Sequence, residues 1–317
     1  MVIIVVAQDQ SKISHDVATG LCIICLLFGI AIYLPIIGFF ASLFIPLPII
    51  YYRIKLGANK GNIIPFGSAI IMAMVIGGIS VDLFYFVGLM LLGVILGNLL
   101  EYNISLEKTI AYTCGTILGI SGLCLVFYSN LSNIGISGLV TDYITKNLEL
   151  TLVLYRSLNV PEELIAQVAN ALDQIKFVLV RITPALIIAA TLLVVWINLI
   201  LIKPILLRKN LYFPNFGNLN LWQAPESLIW GLIGSGLVII IPSPTIKIIG
   251  INGLIIFCTI YFFQGMAIIS FFLEKKNIPL PVKFIIYTII TIQQFFLFII
   301  VGIGLFDMWF NFRKQKT

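Results

Sequence analysis

Eight polar side chains interrupt the apolar runs of this chain: Arg53, Asp82, Asn198, Asn252, Gln264, Gln293, Gln294 and Asp307. Each is expensive in hydrocarbon, so each marks either a hydrogen bond between helices or contact with a polar solute. Four of them, Gln264, Asn252, Arg53 and Asp82, are the candidate ligand-binding groups. Gln264 and Asn252 stand twelve residues apart on one expected helix, about 18 Å along its axis. They cannot share one small ligand unless that helix is broken, and Gln264 is the more central of the two. Asp82 falls near a turn between two expected spans, where water relieves its cost, and Arg53 sits at a span end. Asp307 closes the last apolar run, where a carboxylate opposes the helix dipole and calls for a nearby cation, Arg313 or Lys314. Contact with Arg313 requires the chain to leave the helix between them, because six residues exceed one turn. Trp309, Phe310 and Phe312 suit a membrane interface. Asp307, Arg313 and Trp309 therefore form a structural or docking group.

Chemistry of other kinds lacks its residues. No HExxH, phosphate-binding loop, nucleophile elbow or pair of carboxylates occurs, and the single histidine, His15, precedes the first span. We expect no catalytic residue, no cofactor and no metal site, hence no enzyme, and any ATP-derived energy has to come from a partner. Cys22 and Cys25 have the CxxC spacing but no second ligand pair, and Cys114, Cys124 and Cys258 also lie in apolar runs. All five read as small apolar residues.

The elements that position these groups are membrane-length runs. Mean hydropathy is +1.11, only 10% of residues are charged, and runs such as 177–202 and 248–273 carry almost no charge. A bilayer core takes about 20 apolar residues per helix, so the expected fold is an all-α polytopic transmembrane bundle of eight or nine spans. One membrane domain fills residues 1–317, with a polar N-terminal segment at 1–16, an extramembrane connector at 131–176 and a basic aromatic tail at 308–317. The apolar start, Met1 to Ala7, lacks the basic flank of a signal peptide. The block 17–52 is too long for one upright span, and Pro35, Gly38, Pro46 and Pro48 interrupt it. It is either a tilted span with a broken second part or a tight hairpin. In the connector, Pro161-Glu162-Glu163 reads as a helix start, and Leu164, Val168, Leu172 and Ile175 follow on one face. With 139–158 it makes an external amphipathic hairpin, either a solvated connector or a lid. Gly93-x-x-x-Gly97, Gly115-x-x-x-Gly119 and Ala185-x-x-x-Ala189 read as close packing inside the bundle.

The formal charge of +6 gathers at span ends, which fits lipid headgroups and excludes nucleic acid as a partner. Alternating the spans puts Arg53, Lys55, Lys60, Lys108, Lys203, Arg208, Lys209, Lys275, Lys276 and Lys283 on one side, the cytoplasmic side of the cell (plasma) membrane. The acid-rich connector then faces outward. The same alternation sends Arg313, Lys314 and Lys316 outside, so either the tail is an exception or the count is off by one in the second half.

Several segments resemble the YybS-like family of bacterial polytopic membrane proteins. They are Pro46-Leu-Pro48 with Arg53 and Gly57, Tyr155-Arg-Ser-Leu-Asn-Val-Pro161-Glu-Glu-Leu with Pro184, Leu221-Trp222-Gln-Ala-Pro225-Glu226, Asn252, Phe263-Gln264-Gly265, and Gly304-Leu-Phe-Asp307-Met-Trp309-Phe-Asn-Phe-Arg313-Lys314. That family is in turn similar, distantly, to substrate-binding subunits of energy-coupling-factor transporters and to the rod-shape protein MreD. The first likeness implies a small-solute binding component that works with a separate ATPase module. The second implies a non-transporting scaffold in an envelope or division assembly.

Overall fold

The computed structural model describes residues 10–78, 81–158 and 160–313, without the side chains of Gln10, Pro35, Ile36, Val81 and Asp82. Met1 to Asp9, Asn159 and the last four tail residues therefore lie outside the described residues. No strand occurs among those described. The helices are α1 Gln10–Tyr33, α2 Pro35–Ser42, α3 Pro46–Gly61, α4 Ile63–Ile76, α5 Val81–Glu101, α6 Leu106–Leu131, α7 Ile136–Ser157, α8 Glu162–Arg208, α9 Leu228–Ile240, α10 Pro244–Lys275, α11 Leu280–Ile292 and α12 Gln294–Phe310.

Six of these are long and apolar enough to cross a membrane, and a seventh span arises if α11 and α12, bent by 104° at Gln293, count as one. The expected eight or nine exceeds this by two short apolar helices. These are α4 and α9, of 14 and 13 residues, about 20 Å each against a core of about 30 Å. The connector is helical, as α7 and the start of α8. However, α8 runs unbroken through Lys176 for 47 residues, about 70 Å, so its outer part continues the span rather than joining it through a loop.

The ends of the helices explain why they stop where they do. Asn103, Asn133, Asn210, Asn277 and Asn311 all adopt positive φ, just beyond α5, α6, α8, α10 and α12. Asn is the residue after Gly that tolerates this left-handed turn, and there it frees the chain to reverse while closing the last carbonyls.

The described residues fall into two compact units. The first holds the chain up to Gly122 and Thr191–Phe216. Its opening block is a hairpin rather than a tilted span: Lys55 on α3 pairs with Asp16 on α1 at 2.7 Å, and at the other end Gly38 lies against the backbone of Ala31. Gly93 and Gly97 seat α5 on α3, where an added Cβ would come within 3.0 Å of Ile49 and of the Arg53 stem. Gly115 and Gly119 have nothing within 4 Å, so that second pair is not packed within the bundle as expected, because α6 turns this face outward.

The second unit holds Leu123–Ala190 and Gly217 onward, and α10 is its axis. α12 packs on α10 through Gly265 and Gly304, where any side chain would meet backbone atoms of Ile300 or Tyr261. α9 packs on the first half of α10, Gly231 against Phe257 and Ser235 against Gly250 and Gly253. The irregular stretch before α9 continues along the second half, with Ala224 held by Gln264 and Asn220 by Glu274. Thus α9 is short because its missing length is supplied by non-helical chain.

This arrangement also bears on the tail. Arg313 bonds to Asn220, and Asn220 bonds to Glu274 beside Lys275 and Lys276. Arg313, the described base of the tail, is thereby held on the side of the cations that end α10, as the positive-inside rule requires. In a background without the native cysteines, Glu163→Cys should react with an impermeant maleimide from outside and Lys316→Cys only after permeabilisation. Labelling of both from the same side overturns this topology.

Candidate functional site

Within a bilayer every backbone N–H and C=O freed from a helix needs a partner from the protein. The buried polar side chains gather where the helices are interrupted. Two such places occur, one in each unit.

In the first unit, α2 ends at Ser42 and α3 begins at Pro46, whose ring cannot donate to the ladder. Leu43 is thereby left with a carbonyl facing Asn198 of α8, whose Nδ2 donates to it at 2.9 Å and to Val194 O at 2.8 Å. Both amide protons point at carbonyls, which fixes the orientation of the amide. Its Oδ1 is buried and has no hydrogen-bond partner. Ser42, also buried, donates to Phe39 O and shares a 3.0 Å hydrogen bond with the Tyr85 hydroxyl. Asn198 precedes Arg208 by ten residues on the same helix, about 15 Å, so this break lies near the middle of a bilayer. Sequence reasoning named Asn198 as an intramembrane amide without placing it in a site, because nothing local links it to residue 43.

Arg53 is 5% exposed. Gly97 makes room for its stem, its Nε donates to Asn98 Oδ1 at 2.5 Å, and its Nη2 lies 4.0 Å from Glu101. Its Nη1 has no partner. Asp82 occupies the first turn of α5, and its side chain lies outside the described residues.

In the second unit Gln264, Asp307 and Arg313 are brought together, while Asn252 stands apart. Asp307 Oδ2 accepts from Arg313 Nη2 at 2.5 Å, from Gln264 Nε2 at 3.2 Å and from Gln223 Nε2 at 3.4 Å. Its Oδ1 accepts from the Phe312 amide at 2.9 Å. The left-handed turn at Asn311 (φ 47°) folds the tail back, which is how a pair six residues apart can touch. Arg313 Nη1 donates to the carbonyls of Asn220 and Trp222, and Gln264 Oε1 accepts from the Ala224 amide. Three side chains thus satisfy four backbone groups of the irregular stretch and the tail. Both members of the ion pair are almost fully shielded, at 4% and 0% side-chain exposure. Trp309 is 62% exposed and tilts against Phe306, outside the network and suited to an interface.

Asn252 answers a milder disturbance, a proline inside the continuous α8. Pro184 removes one donor from α8, and next to it Asn252 Oδ1 accepts from the Ala185 amide while Nδ2 donates to Arg181 O. These two backbone groups are an i+4 and i pair of the α8 ladder. A third bond to Ile248 O completes the amide, so Asn252 braces α8 on α10 and keeps no free polar atom.

Removing one partner from a shielded ion pair costs about 3–5 kcal/mol, because the other charge is stranded. Asp307→Asn and Arg313→Gln should each lower the melting temperature of the purified protein markedly, and the double variant should lose less than the sum. Additive losses would show that the two act separately. Asn252→Leu should destabilise through the lost brace by about 1–3 kcal/mol, read in the same thermal assay, and unchanged melting would sink that role.

The chain is similar to "Uncharacterized protein YybS" of Bacillus subtilis (strain 168), at 21% identity over 321 residues, covering 97% of this chain and 99% of that one. No solved structure matches. A family model described as predicted membrane protein (DUF2232) matches residues 22–308, a stretch that contains both helix breaks, Asn198, Gln264 and Asp307. The chain belongs to that family, and it is a multi-pass membrane protein.

Proposed function

We propose that this protein is a plasma-membrane component that binds or carries a small polar solute, without catalysing a reaction and with any ATP-driven step supplied by a partner module. The observation that supports the reading is the α2–α3 junction: a tightened turn of i→i+3 bonds at membrane depth, where Pro46 leaves the Leu43 carbonyl without a backbone donor and Asn198, whose Oδ1 is buried and unpaired, closes it. Interrupted helices whose freed backbone meets polar side chains are the usual frame of a solute site in transporters. Such a site takes a solute that offers a hydrogen-bond donor, since the open atom is an acceptor. The site moves from Gln264 and Asn252, whose amides are engaged internally, to Asn198 and Ser42.

A second reading, a non-transporting scaffold in an envelope assembly, draws on the closed bonding of Gln264, Asn252 and Asp307. The two readings part on one measurement. Mass spectrometry of the denatured, purified protein should find a small molecule at near-stoichiometric amount. Asn198→Ala should lose it while Asn252→Leu, equally stripped of an amide, retains it. An empty wild-type protein, or equal retention in all three, overturns the assignment and leaves the scaffold.

A further inference from the structure

A cavity of about 430 Å³ opens between α1 and α3 in the first unit, lined by Ser11, Lys12, His15, Asp16 and Lys55. At about 30 Å³ per water it has room for a phosphodiester with its glycerol. It sits where the first turns of one candidate span, Ser11–Tyr33, meet the end of the next, Ile37–Gly61, so it lies at the border of the membrane. Within the lining, two ammonium groups and an imidazole face a single carboxylate, and that carboxylate is paired with Lys55 at 2.7 Å. Lys55 also lies 5.9 Å from the Tyr51 ring centroid. That carboxylate competes for Lys55, no second carboxylate lines the cavity beside Lys12 among the described residues, and the Ser11 hydroxyl adds a donor of the kind a phosphate oxygen accepts.

We propose that this cavity holds the phosphate of an anionic lipid headgroup, in the leaflet on the side of the basic span ends. Basic pockets between membrane helices at that border are suited to phosphate-bearing headgroups. The lipid's acyl chains then run along the exposed apolar faces of α1 and α4, where Ile23, Leu26 and Phe66 are uncovered. The solute site at Asn198 plays no part in this inference.

The test is native mass spectrometry of the full chain in detergent, titrated with phosphatidylglycerol and, separately, with phosphatidylcholine. Phosphatidylglycerol should bind the more tightly, and Lys12→Gln with Lys55→Gln should weaken it about thirtyfold. Asp16→Asn, which removes the competing carboxylate, should tighten it. That gain cannot come from a misfolded chain, so it guards against a loss that merely reports unfolding. Equal binding of the two lipids, or no tightening in Asp16→Asn, overturns the proposal. Displacement of the bound lipid by inorganic phosphate overturns the headgroup assignment and makes the cavity a site for a soluble phosphate.

Discussion

The structure depends on one constraint: backbone freed from a helix inside a membrane has no water to turn to. At three places among the described residues where a helix is interrupted or loses a donor to proline, a side chain is delivered from elsewhere in the sequence. Asn198 serves the break between α2 and α3, Asn252 the ladder beside Pro184, and Gln264 with Asp307 and Arg313 the irregular stretch before α9. A charge pair is a costly way to do this, since two ions must be desolvated. Asp307 and Arg313 offset that cost because neither bonds only to the other. Arg313 also takes two carbonyls, and Asp307 one backbone amide and the side-chain amides of Gln264 and Gln223, so five donors and acceptors close around them.

What was legible in the sequence follows from the range of each signal. The helical, apolar character of the chain comes from local composition and periodicity, and the structure is all-helical among the described residues, although the expected span at 281–306 is bent by 104° and that at 177–202 is part of a 47-residue helix. The pairing of Asp307 with Arg313 was also readable, because a carboxylate at a helix end asks for a cation and the tail supplies one close by. The bond from Asn198 to Leu43 spans 155 residues and leaves no local trace. Gln264 is a halfway case: its cost in lipid marked it as special, but not whether it would meet a solute or the Ala224 amide.

Span counting failed to separate the two short helices for a related reason. Hydropathy registers α9 as apolar and cannot see that the chain before it, rich in Asn and Pro, lies along α10 as well. The left-handed asparagines carry the missing punctuation. Five helices end at them, and such a residue reads from sequence as an ordinary polar loop position.

The two units treat their interruptions differently, and this difference bears on function. In the second unit Asp307, Gln264 and Asn252 are all engaged, which gives a rigid clasp with Arg313 Nε and Asn220 Oδ1 as its loose ends. In the first, Arg53 Nη1, Ser68 Oγ and Asn198 Oδ1 are all buried without a partner. A buried polar atom left without a partner, whether the donor of Arg53 or the acceptor of Asn198, costs about 1–3 kcal/mol. Asn198 Oδ1 is the one of the three that lies at the α2–α3 junction, and it is the atom on which the proposed solute site rests.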